Sequence, residues 1–104
     1  TLGPLENNPR TIAWILYAVD MAASKAPAPL TDISAAADAI NHAVPTQQEM
    51  SKSLSWLHAR GFVESQGRFH MLSEDGRNLV GQSRANESTV SAVWAHLTEA
   101  IRLI

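Results

Sequence analysis

The residues of this chain best placed to do chemistry are mostly neutral and polar. Gln48, Ser51, Lys52 and Ser55, with Ala59, recur at three- and four-residue intervals between Thr46 and Arg60. On a helix that spacing gathers them on one face, while Met50, Leu54 and Leu57 fall on the opposite one. Gln can bond adenine through two contacts, Ser can meet either partner of a base pair, and Lys can reach guanine or a phosphate. Such a face is chemically fit to meet base edges; the alternative reading is a solvated polar face. Other chemistries find less support. His42, His58, His70 and His96 lie on different segments, with no His-x-x-x-His or Glu-x-x-His spacing to suggest a metal site. The chain has no Cys, which removes thiolate ligands, a cysteine nucleophile and disulfides. No Ser or Thr sits in a glycine-rich elbow, and no glycine-rich loop is present to cradle a phosphate. We therefore expect no enzyme, no metal and no cofactor.

The elements that position this face can be read from periodicity and caps. Residues 1–9, with Gly3, Pro4, Asn7, Asn8 and Pro9, read as an extended leader before a single domain over 10–104. From Thr11, Ile12, Ile15, Leu16 and Val19 repeat at helical spacing beside a second stripe of Trp14, Tyr17 and Met21. A helix apolar on nearly all sides needs cover on two of them, supplied by the C-terminal helix or by a second subunit. The prolines of "KAPAPL" break this helix. Thr31 or Asp32 then caps a second helix that turns Ile33, Ala36, Ala37 and Ile40 inward. "NHAVP" is a tight turn, and Thr46 with Glu49 forms the capping box of the third helix, which Gly61 ends. "FVES" and "RFHML" read as strands around a Gln66-Gly67 turn. Ser73 caps a short helix carrying Leu79 and Val80. Asn86 is placed to cap the last helix, whose stripe is Val90, Val93, Trp94, Leu97 and Ile101.

Three helices, the second and third joined by a tight turn, followed by a hairpin, form the winged helix-turn-helix order. The expected fold class is mainly α with a small β-hairpin, a winged helix-turn-helix with an additional C-terminal helix. The stretch "SLSWLHARGFVES…GRFHMLSEDGRNLV" resembles bacterial transcriptional regulators of MarR and PadR type. It carries Leu54, Leu57, Arg60, Gly61, Phe62 and Val63, then Leu72, Ser73, Glu74, Asp75, Gly76 and Arg77. The resemblance covers residues 30–84, leaving 86–104 as a packing or dimerisation helix. It implies a homodimeric DNA-binding protein in which Gln48, Ser51, Lys52 and Ser55 read bases, while Arg60 and Arg68 position the backbone. The matching residues are mostly core and turn positions, and winged helices also serve as protein-docking or dimerisation modules without DNA.

Charge bears on that choice. The net charge is -2 and the isoelectric point near 6.0, whereas nucleic-acid binders usually draw affinity from Lys and Arg. Residues 46–84 hold Lys52, Arg60, Arg68, Arg77 and Arg84 against Glu49, Glu64, Glu74 and Asp75, a net +1, so the expected DNA side is the least acidic part. Arg68 and His70 on the hairpin offer cations to a phosphate or simply protect a strand edge. Trp56 borders the polar face beside Glu49, Lys52 and Arg60, either packed against a neighbouring element or exposed to a partner. Trp14, Tyr17, Trp94, Leu97 and Ile101, with Trp56, are the expected partner or dimer contacts. No apolar run approaches the roughly 20 residues of a membrane span, and the start of the chain lacks the order of a signal peptide. We expect a cytoplasmic protein with no membrane partner.

Overall fold

The computed structural model describes residues 8–104. Their order is α1 (Pro9–Ala22), α2 (Leu30–Asn41), α3 (Gln47–Ala59), β1 (Val63–Gln66), β2 (Phe69–Leu72), α4 (Glu74–Asn86) and α5 (Val90–Arg102). The described residues are thus mainly helical, with one antiparallel two-stranded sheet among them.

Helix α1 is the centre of the structure. Every residue from Thr11 to Val19 is buried, because α2, α3, α4, α5 and β2 all pack against it. The second cover that its two apolar stripes demand is therefore α5 of the same chain. Trp14 and Trp94 meet at 6.2 Å between ring centroids. Their indole N–H groups donate to the carbonyls of Ala37 and Arg10 at 2.8 and 2.9 Å, which satisfies both polar tips inside the core. Arg10 also lies 3.9 Å from the centroid of Trp94. Trp14, Tyr17, Trp94, Leu97 and Ile101 are all buried within one chain. Of the two places that the sequence leaves open for these stripes, core or dimer seam, the fold of the single chain supplies the core. Val90, expected in the same stripe, is exposed.

Several local signals shift by one or two residues. Residues 1–7 of the expected leader lie outside the described residues, and its last two open α1: Asn8 caps the helix by accepting from the amides of Arg10 and Thr11. Pro9 takes the first helical position, where its missing N–H costs nothing. Neither Thr31 nor Asp32 caps α2. The helix begins at Leu30 and is preceded by Pro29, with no side-chain cap. Asn86 ends α4, its side-chain amide donating back to Gln82, and Thr89 caps α5 instead. The linker between α1 and α2 also does more than break a helix. Ala28 exchanges two backbone hydrogen bonds with His70, at 2.9 and 2.8 Å, and so extends the sheet beside β2. Pro27 and Pro29 lack the donors to continue that ladder.

The residues that follow α3 lock the hairpin to α4. Gly61, at φ +79°, ends α3 in a Schellman arrangement: its amide donates to His58 and that of Phe62 to Leu57. The Ser73 hydroxyl donates to the Gly61 carbonyl at 2.5 Å and accepts from the Gly76 amide at 3.1 Å, so one side chain joins the end of α3 to the start of α4. A Cβ on Gly76 would collide with the carbonyl of Phe62, and Arg77 donates to the Leu72 carbonyl at 3.0 Å. The segment "SEDGR" is therefore a junction, with each of these three residues spent on backbone contacts.

Candidate functional site

Helix α3 is built to hold one face still and show the other. Thr46 and Glu49 form a complete capping box, at 3.0 and 2.8 Å. Met50, Ser53, Leu54 and Leu57 are buried, which fixes the helix about its axis. Gln48, Ser51, Lys52 and Ser55 are all exposed on the opposite face, and Arg60 at the end of α3 and Arg68 in the hairpin turn are exposed as well. The expected base-contacting residues thus come together on one surface.

The two flanks of that face differ. On one, Trp56 is partly buried against the core, and the Arg60 guanidinium stacks 4.8 Å from its centroid. That contact accounts for the tryptophan as a packed side anchor and holds Arg60 at the end of α3. On the other flank, a groove of about 600 Å³ opens between α2, α3 and the hairpin. Leu30, Met50 and Leu54 line it, with Ser51, Ser55, His58 and His70 along its edge. Arg68 stands nearer the start of α2, sharing a hollow with Pro29, Leu30, Thr31 and His70.

The groove edge holds a constellation that sequence reasoning missed. The Ser65 hydroxyl lies 2.8 Å from Nε2 of His58 and 2.8 Å from Nδ1 of His70, and the two rings stand edge to face at 5.9 Å. Register was the missing signal. The strands pair Gln66 with Phe69 and Ser65 with His70, so the turn is Gly67-Arg68 rather than the expected Gln66-Gly67. Gly67 takes φ +61°, as a two-residue hairpin with glycine first requires. The expected turn would have set Ser65 against Arg68, since a one-residue shift reassigns every cross-strand pair. Burial and the nearby His58 lower the pKa of His70, which favours its neutral ring near pH 7.

Charge around the face is sparser than the residue count suggests. Arg84 is drawn to α1, where it pairs with Asp20 at 2.7 Å, and Arg77 faces the Leu72 carbonyl. Burial raises the pKa of Asp20 although Arg84 opposes it. Lys52, Arg60 and Arg68 remain as the cations of the α3 and hairpin surface, and Glu49 is turned to its own helix terminus. Lys52 and Arg68 form no ion pair among the described residues. No group of three or more His, Asp or Glu side chains is arranged to hold a metal ion among those residues. No helix among them is long and apolar enough to cross a membrane. Compared with known proteins, the chain matches no family model, no curated protein and no solved structure.

Proposed function

We propose that the chain is a winged helix-turn-helix protein that binds double-stranded DNA in the manner of a bacterial transcriptional regulator. In this reading α2 and α3 are the helix-turn-helix, α3 enters the major groove, and the β1–β2 hairpin is the wing. The observation that carries it is the exposure of Gln48, Ser51, Lys52 and Ser55 on one face of a helix whose other face is fixed by Met50, Leu54 and Leu57. The backbone bridge between Ala28 and His70 supports it further, since it ties the wing to the entry of α2. Arg60 and Arg68 position the phosphate backbone, and the neutral side chains read bases.

A homodimer belongs to the same proposal. Two copies present two such faces to paired half-sites and double the few cations that each chain supplies. Its seam must use surface other than the five side chains enclosed in the core. A cytoplasmic location follows from the same role.

The test is duplex binding by the intact chain at low salt, followed over a salt series. Lys52→Ala with Arg68→Ala should weaken binding to all sequences and flatten the salt dependence by about one unit per lost phosphate contact. Absence of binding to any duplex would end the proposal. The net charge of -2 favours a second reading, a protein-interaction module centred on Trp56. It requires Trp56→Ala to abolish a complex without lowering thermal stability.

A further inference from the structure

His58 and His70 line the groove beside α3, Ser65 is hydrogen-bonded to both rings, and the assignment of base contacts leaves all three unused. His58 is in the last turn of α3, Ser65 on β1 and His70 on β2, so three elements meet at one hydroxyl. We propose that the α3 and hairpin face binds duplex DNA with uptake of one proton per chain at the His58–His70 pair, so that affinity rises as pH falls. This rests on the reading of that face as the duplex-binding one, and names its regulation.

Hydrogen-bond geometry leaves room for one added proton. With both rings neutral, the Ser65 hydroxyl donates to one ring nitrogen and accepts from the N–H of the other. When the first ring is protonated, both nitrogens donate to the two lone pairs of Ser65, and the hydroxyl proton turns away. No ring contact to Ser65 is broken. A second proton would set two imidazolium ions at 5.9 Å, where like charges repel.

In the free protein the groove offers that first charge no carboxylate, only the carbonyl end of α3 near His58. From α2 the groove receives Leu30, Thr31 and Ser34, and from α3 the uncharged Met50, Ser51, Leu54 and Ser55. Ser65 is β1's group at the pair. Arg68 shares the hollow beside His70 and adds positive charge. Burial, then the neighbouring His58, holds His70 below the usual histidine range. A DNA phosphate brought between Ser55 and Arg68 supplies the missing negative charge and raises the proton affinity of the pair.

The sign follows from linkage. The pair holds its proton more tightly in the complex than in the free chain. The gain in affinity is complete below the free-state pKa and is lost as pH rises through the bound-state value. For one proton, the slope between them reaches at most about tenfold per pH unit.

The experiment measures affinity of the full chain for a mixed-sequence duplex at fixed low ionic strength, from roughly pH 5.5 to 8.5 around the histidine range. His58→Gln with His70→Gln is run in parallel, which cancels His42, His96 and any protonation of the DNA. The wild type should tighten steeply toward low pH, the double variant much less. Imidazole NMR titrations of the wild type, free and duplex-bound, should show the midpoint of His70 rising on binding. These readings need no variant and stand if the double variant fails to fold. Binding with equal pH slopes in both proteins, or unshifted midpoints, overturns the proton linkage while leaving duplex binding intact. Absence of binding at every pH overturns both.

Discussion

Helices α1 and α3 are of nearly equal length, 14 and 13 residues, yet they are used in opposite ways. Helix α1 gives nine consecutive residues to the interior and touches almost every other element. Helix α3 gives up four and keeps a polar face in solvent. A helix enclosed on all sides is a scaffold whose sequence answers to packing. One held by a single stripe has the rest of its surface free for a partner, and its polar residues then answer to whatever that surface meets. On the proposed reading α3 carries the function and α1 the stability, and substitutions test that division.

The largest effect is expected at the scaffold. Ile15 is fully enclosed, and Ile15→Ala should cost about 3–4 kcal/mol, as large-to-small changes in closed cores do; chemical denaturation measures it. Gly76→Ala should cost about 2–3 kcal/mol through its collision with the Phe62 carbonyl. This second value tests whether the junction after α3 is as rigid as the core. A loss under roughly 0.5 kcal/mol, the usual range for surface positions, would show that Phe62 yields easily.

Smaller effects separate the two sides of α3 itself. Thr46→Ala removes the capping oxygen that accepts from the Glu49 amide and should cost about 1 kcal/mol. Gln48→Ala, Ser51→Ala and Ser55→Ala should each leave stability within about 0.5 kcal/mol, since all three are exposed. A larger loss at any of them would mean that the polar face is structural, and would remove the contrast with α1.

What the sequence made legible follows the same division. Residues whose role depends on their own segment were readable: the Thr46–Glu49 box, the left-handed Gly61, the Ser73 cap and the inward Leu54 and Leu57. Roles that depend on a distant partner were not. Trp14 and Trp94 stand in apolar stripes, but a stripe does not say whether it packs on its own chain or on another. Ala28 sits between two prolines and carried no strand signal; only the edge of β2 recruits it. The His58–Ser65–His70 constellation needed a hairpin register that moves with a one-residue change in the turn. Asn86 is a sound cap by type, but α4 runs through it, and Thr89 caps α5. In the candidate site, the exposed face of α3 was legible from periodicity alone, whereas its flanks at Trp56 and at the histidine pair emerged from packing.

The most direct test of the central claim is a residue-by-residue NMR titration of the intact chain with a short duplex at low salt. Shifts are expected at Gln48, Ser51, Lys52, Ser55 and Arg68, with the buried segment of α1 and the inward face of α5 unmoved. Shifts confined to the surface around Trp56, or no shifts at any duplex concentration, would contradict it.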